Sequence, residues 1–108
     1  MKILFVENHS IFADQVIRCF LSAHQGTVVP GLAVARNKLA VETCDVLLVD
    51  YDLDDGKGAE LVQEVRMNGS AVRIIGVSAR EEGNEALTQA GADAVCSKLN
   101  FDRIQSFI

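Results

Sequence analysis

Residues 45–58 read DVLLVDYDLDDGKG, in which four aspartates follow a run of aliphatic residues. They are Asp50, Asp52, Asp54 and Asp55. Carboxylates this close together repel one another, so their crowding needs a physical reason. Either they form an acidic, solvated loop, or they hold a cation and present one carboxylate for chemistry. The second interpretation requires partners from other parts of the chain.

Other polar residues occupy the same kind of position, directly after an apolar run. Glu7 and Asn8 follow ILFV, Asp50 follows VLLV, Ser78 follows IIGV and Lys98 follows AVCS. Each alone has an ordinary alternative as a turn, cap or solvated residue. Together, acids suit a divalent cation, a hydroxyl suits an anion, and an ammonium neutralises a phosphoryl group. The set therefore predicts a phosphate site.

The segments that carry these residues are predicted strands, because they are almost continuously apolar, as buried parallel strands are. They are Ile3–Val6, Val46–Val49, Val72–Val77 and Ala94–Cys96, with a weaker candidate at Thr27–Val29. Apolar residues recur with helical period between the strands. The predicted helices lie within residues 9–25, 32–43, 58–69, 81–90 and 101–108, with Gly69 and Gly91 as helix stops.

Strands that alternate with helices predict an α/β fold with a doubly wound, five-stranded parallel sheet. The expected strand order is 2-1-3-4-5, with helices on both faces. In such sheets ligands bind beyond the carboxyl ends of the strands, where the strand order reverses. The strand-end residues should therefore meet at one edge.

Composition narrows the class of protein. The 108 residues, 49% hydrophobic and 23% charged, predict one globular domain spanning residues 1–108. A net charge of −5 without a basic block argues against direct nucleic-acid binding. No apolar run reaches the roughly 20 residues of a membrane span. Cys19, Cys44 and Cys96 form no C-x-x-C pair, which favours buried free thiols and a cytoplasmic location.

These motifs resemble the receiver domain of bacterial two-component response regulators, a CheY-like fold. The resemblance covers essentially the whole chain. It depends on the acid after the first strand, Asp50 in LLVDYDL, Gly58, Ser78 in GVSA, the QAGAD turn and Lys98.

The resemblance implies that Asp50 accepts a phosphoryl group from a histidine kinase or a phosphotransfer protein. Ser78 and Lys98 would then contact the phosphoryl oxygens. It also implies a Mg²⁺ site formed by Glu7, Asn8, Asp50 and the backbone carbonyl of Asp52. Such a domain signals rather than acting as an enzyme, apart from its own phosphorylation and dephosphorylation. Its partner, a second copy or an output domain, would bind the face formed by the fourth helix, fifth strand and last helix.

The sequence departs from the family pattern in four places. Asn8 stands where most receivers carry a second acid, so weaker Mg²⁺ binding is expected. Leu99 replaces the usual proline, so no cis peptide is expected there. Val95 lies where many receivers place an aromatic residue, which argues against a swinging-ring mechanism. The last helix is short and ends on Phe107 and Ile108, which suggests a truncated piece, a following domain or a dimer face.

Two other functions remain open at this point. A pseudo-receiver would keep the scaffold and bind proteins without regulated phosphorylation. A small phosphatase-like enzyme is the more remote alternative, because DYD matches the D-x-D of haloacid-dehalogenase-type phosphatases. In both receiver interpretations Asp54 and Asp55 are expected to be solvated loop residues.

Overall fold

The apolar segments pair into one parallel sheet in the computed structural model, which describes all residues from Met1 to Ile108. The strands are β1 (Lys2–Val6), β2 (Gln25–Val29), β3 (Val46–Asp50), β4 (Arg73–Val77) and β5 (Ala94–Val95). Their order in the sheet is β2-β1-β3-β4-β5, and this confirms the predicted doubly wound topology.

Helices cover both faces of the sheet. They are α1 (Ser10–Phe20), α2 (Leu32–Val41), α3 (Gly58–Met67) and α4 (Glu81–Ala90), followed by a 3-10 segment at Lys98–Ser106. Along β1, Ile3 and Phe5 pack into the core beneath α1 and the 3-10 segment, whereas Leu4 and Val6 pack beneath the other three helices. Burial on both faces explains why the strands are continuously apolar.

Two elements differ from the prediction. β2 begins at Gln25 rather than Thr27, because it pairs with β1 along its whole length even though it is an exposed edge strand. The predicted helix at 101–108 is instead the 3-10 segment, which bends at Asn100. Apolar residues at 101, 104 and 107 fit its three-residue turn and pack on the core. Phe107 and Ile108 are therefore partly buried by the domain itself.

A short antiparallel ladder that the sequence did not predict joins β3 to α3. Asp52–Leu53 pairs with Gly56–Lys57, and Gly56 takes a φ of 148° that favours glycine. Asp52 lies in the first strand of this ladder, and Asp54 and Asp55 form the turn between its two strands. No helix of the protein combines the length and hydrophobicity needed to span a bilayer. The three cysteines are free, but only Cys96 is buried, so the expectation of three buried thiols is wrong.

Candidate functional site

The predicted strand-end residues meet at the carboxyl edge of the sheet. Glu7 follows β1, Asp50 ends β3 and Ser78 follows β4. They are 1%, 5% and 3% exposed, and they are the three buried polar or charged residues of the chain. Because burying unpaired polar groups is unfavourable, their concentration at one edge indicates a functional site.

Lys98 links the two buried acids. Its Nζ lies 2.6 Å from Glu7 Oε1 and 3.0 Å from Asp50 Oδ2. The same ammonium lies 5.1 Å from the centre of the Phe12 ring. Burial lowers the pKa of Lys98, but the hydrogen bonds to Glu7 and Asp50 outweigh it, and the net direction is upward. The ammonium is therefore fully charged at neutral pH and partly offsets the repulsion between the acids.

Asp50 is held at both of its oxygens. The backbone N–H of Tyr51 donates to Oδ1 at 2.8 Å, and Lys98 donates to Oδ2. Burial raises the pKa of Asp50 to about 6, the Lys98 hydrogen bond opposes this rise, and the charge of Glu7 adds to it. The carboxylate is therefore ionised at neutral pH but more basic than an ordinary aspartate.

Ser78 lies at the site, but its hydroxyl faces its own loop. Its Oγ accepts a hydrogen bond from the backbone N–H of Arg80 at 3.1 Å. Its carbonyl accepts from the backbone N–H of Lys98 at 3.2 Å and from Asn84 Nδ2 at 3.2 Å. The structure thus connects Ser78 to Lys98 and to α4, while no hydrogen bond joins the Ser78 hydroxyl to Asp50.

Asn8 and Asp52 occupy the rim. Asn8 Nδ2 donates to Asp54 at 3.0 Å, and Asn8 Oδ1 is buried without a hydrogen-bond partner. The Asp52 carboxylate pairs with Lys57 and with Arg80, each at 2.5 Å. The Lys57 hydrogen bond has the largest effect and, together with that of Arg80, lowers the pKa of Asp52 although burial opposes the shift. The Asp52 side chain is thus already paired with cations.

The donor atoms at this edge suit a hard divalent cation. Glu7 and Asp50 contribute carboxylate oxygens and Asn8 contributes an amide oxygen that lacks a partner. Oxygen ligands of this kind are those that Mg²⁺ prefers. No group of three or more His, Cys, Asp or Glu side chains gathers as a metal cluster anywhere in the chain. The candidate ligand set therefore has two carboxylates rather than three.

Asp54 and Asp55 are exposed turn residues, as expected, but each also has a hydrogen-bond partner from a distant part of the chain. Asp54 binds Asn8, and Asp55 caps α2 by accepting hydrogen bonds from the backbone N–H groups of Leu32 at 2.8 Å and Ala33 at 3.0 Å. These bonds, with Ala33 the stronger influence, lower the pKa of Asp55. The α2 cap position is Gly31, whose missing side chain leaves room for the Asp55 carboxylate. Each aspartate of the acidic run has its own partners.

Sequence reasoning missed two residues that shape the site, Arg80 and Gly83. Arg80 bridges the Ser78 loop to Asp52. A Cβ at Gly83 would lie 2.5 Å from Ser78 Oγ and 3.1 Å from Tyr51 Cβ, so the glycine lets α4 pack directly on the site. The sequence alone could have indicated a packing role for Gly83, because a glycine inside a helical pattern is unfavourable unless packing requires it.

Comparisons with known proteins agree with this geometry. The response regulator receiver domain family matches residues 3–107. A relative is the transcriptional regulatory protein KdpE of Staphylococcus aureus, 29% identical over 99% of this chain. The alignment covers 48% of KdpE, so this chain spans about half the length of that relative.

Solved structures share the fold. The response regulator TrrA of Thermotoga maritima, solved with Mg²⁺ and BeF, has a TM-score of 0.87 at 20% identity, covering 97% of this chain and 93% of that one. The Mn²⁺-bound response regulator Rcp1 has a TM-score of 0.82 at 17% identity, covering 98% and 92%. The resemblance drawn from the motifs is confirmed. This chain belongs to the response regulator receiver domain family of two-component systems.

Proposed function

We propose that this receiver domain accepts a phosphoryl group on Asp50 from a histidine kinase or a phosphotransfer protein. The observation that carries the proposal is the Lys98 ammonium, which contacts Asp50 and Glu7 at once in a buried pocket. A carboxylate attacking phosphorus needs positive charge nearby to offset the charge on the phosphoryl oxygens. Lys98 is placed to supply part of it.

The proposed step is a nucleophilic displacement by Asp50. A carboxylate oxygen forms a bond to phosphorus while the bond from phosphorus to the donor's imidazole nitrogen breaks. The electron pair stays on that nitrogen, which takes a proton from water, and Asp50 becomes an acyl phosphate. A pKa of about 6 leaves the carboxylate ionised by about ten to one at pH 7 and raises its basicity. The Tyr51 N–H keeps Oδ1 in a fixed direction during attack.

Mg²⁺ is the proposed cofactor, held by Glu7, Asn8, Asp50 and the backbone carbonyl of Asp52. When bound, it would neutralise charge on the phosphoryl group. We expect weaker binding than in a receiver with an acid in place of Asn8. Two unit charges about 4 Å apart attract by about 4 kcal/mol at an effective dielectric of 20, and a divalent cation doubles this, before relief of repulsion among the acids.

The variant Asn8→Asp tests this ligand set. It should tighten Mg²⁺ binding in isothermal titration calorimetry, whereas Asn8→Ala should weaken it. Unchanged affinity in both variants would remove Asn8 from the coordination shell.

We infer that phosphorylation draws Ser78 toward the phosphoryl oxygens, since its loop already contacts Lys98 and α4. A shift of Ser78 would break its hydrogen bond with the Arg80 N–H and move the start of α4. The face formed by α4, β5 and the 3-10 segment would then change its affinity for a second copy or an output domain. Such a shift requires contacts that differ between the two states.

The proposal includes a cytoplasmic location, supported by three free cysteines and by the family. It includes no enzymatic turnover of external substrates. Receiver domains are signalling domains that interact with histidine kinases and output domains, and no observation favours the pseudo-receiver.

Incubation with acetyl phosphate and Mg²⁺, followed by intact-mass measurement, tests the proposal. The wild type and the matched control Asp14→Asn, an exposed aspartate on α1, should each gain one phosphoryl adduct. Asp50→Asn should gain none. No adduct at millimolar Mg²⁺ would instead support the pseudo-receiver, and sustained hydrolysis of p-nitrophenyl phosphate would support the phosphatase alternative.

A further inference from the structure

The side-chain amide of Asn8 is fixed at one end and unsatisfied at the other. Its Nδ2 donates to Asp54 Oδ1 at 3.0 Å across 46 positions of sequence. Its Oδ1 is buried and accepts no hydrogen bond. A buried acceptor without a donor is unfavourable, so the arrangement needs a reason.

The reason lies in the chemistry of the two groups. An ionised carboxylate only accepts hydrogen bonds, whereas an amide has a donor end and an acceptor end. The Asp54 carboxylate therefore binds the NH₂ end and turns the oxygen of Asn8 away from itself. Without Asp54, the amide could rotate by about 180° and place its NH₂ end where its oxygen now lies. An NH₂ group cannot ligate a cation.

We propose that Asp54 is a positioning residue, which orients the Asn8 amide so that its oxygen is available to Mg²⁺. The inference extends the proposed function, because it assigns the orientation of one ligand in the same site. It gives the third carboxylate of the acidic run a role distinct from those of Asp50 and Asp52. It also indicates how a chain that lacks the second acid after β1 retains a metal ligand there.

Three mechanisms predict different outcomes at Asp54. If its negative charge attracted the cation through space, Asp54→Asn and Asp54→Ala would weaken binding to similar extents. If it ligated the cation directly, Asp54→Ala would weaken binding in the Asn8→Asp background as well. If it orients Asn8, the asparagine variant keeps an acceptor oxygen for Asn8 Nδ2 and should retain most of the affinity, while the alanine variant loses the hydrogen bond.

Isothermal titration of the metal-free chain with Mg²⁺ alone distinguishes these mechanisms. We expect Asp54→Ala to weaken Mg²⁺ binding about fivefold, the factor that corresponds to one ordinary hydrogen bond. Asp54→Asn should weaken it by less than about twofold. Urea unfolding checks that both variants are folded and gives a readout that is independent of metal.

The Asn8→Asp background supplies a second test. A carboxylate at this position ligates through either oxygen, so it needs no orientation, and it also repels Asp54. Adding Asp54→Ala to this background should therefore not weaken Mg²⁺ binding. Equal losses for Asp54→Asn and Asp54→Ala in the native background, or a loss in the Asn8→Asp background, would overturn the inference.

Failure of this inference is separable from failure of the proposed function. If wild type forms the Asp50 adduct and Mg²⁺ affinity does not depend on Asp54, only the positioning role is wrong. If wild type binds no Mg²⁺ and forms no adduct, both proposals are wrong.

Discussion

Replacing Asp50 with asparagine should stabilise the metal-free domain, and the gain should increase with pH. Asp50 is 5% exposed and shares its pocket with Glu7, so the folded state disfavours its ionised form despite Lys98. Asparagine has nearly the same shape, and its side-chain oxygen can still accept from the Tyr51 N–H. The substitution therefore removes a buried titrating charge with little change in packing.

The pKa shift of Asp50 sets the size of the expected gain in stability. Burial raises the pKa of Asp50 from 3.8 to about 6. The stability that this group contributes is fully present below pH 3.8 and is lost as pH rises through about 6. A shift of about two units corresponds to about 3 kcal/mol, which is an upper bound because water and side chains relax around a buried charge. We expect Asp50→Asn to gain about 1 to 3 kcal/mol at pH 7 and little at pH 4.

Urea unfolding in the presence of EDTA measures this difference. The chain has one tyrosine and no tryptophan, so far-ultraviolet circular dichroism is the appropriate signal. With an m value of about 1 to 1.5 kcal/mol per molar urea, a gain of 2 kcal/mol moves the midpoint by about 1 to 2 M. The exposed-site control Asp14→Asn should show a difference from wild type that is flat with pH.

A difference between Asp50→Asn and wild type that does not change between pH 4 and pH 8 would refute the reasoning. A variant that loses relative stability as pH rises would show that the Lys98 ion pair outweighs burial. A flat difference would mean that folding does not shift the pKa of Asp50, and a relative loss with rising pH would mean that Asp50 is a stabilising structural residue.

Substitutions at three further positions test the structure, two of them by urea unfolding at pH 7 and one by hydrogen exchange. Lys98→Met should lower the free energy of unfolding by about 3 kcal/mol, because it leaves Glu7 and Asp50 buried without their cation. The loss should shrink toward pH 5 as Asp50 protonates. A loss that is equal at both pH values would contradict this. Gly58→Ala should lower the free energy of unfolding by about 2 kcal/mol or more and lower the phosphorylation rate, since the new Cβ would lie 1.8 Å from the Asp50 carbonyl oxygen. Unaltered stability would mean that the backbone shifts easily to accommodate the Cβ. Asp55→Ala should destabilise α2, and Asp55→Asn should destabilise it much less. Amide hydrogen exchange of α2 measures this difference. Equal protection of α2 in wild type and in both variants would show that Asp55 does not cap the helix.

Much of the fold and of the site could be predicted from local sequence. Continuous apolar runs marked the strands, and the alternation with helices then indicated the doubly wound order that five-stranded parallel sheets usually take. A residue directly after a parallel strand must lie at the carboxyl edge of the sheet, so Glu7, Asp50, Ser78 and Lys98 could be placed together without coordinates. The apolar spacing at 101, 104 and 107 fits the three-residue turn of a 3-10 helix better than the 3.6-residue turn of an α-helix.

Only the tertiary structure decided which side chains pair within the site. Asn8 meets Asp54 across 46 positions, Arg80 meets Asp52 across 28, and Asp55 caps α2 across 23. Nothing local distinguishes Asp52, Asp54 and Asp55 from one another, because each is an acidic residue in the segment that follows β3. Their partners depend on the short ladder, which holds Asp52 in a strand and Asp54 and Asp55 in its turn, and on the packing of loops that are distant in sequence. Strand position thus determined where the acids lie, and long-range packing determined the role of each.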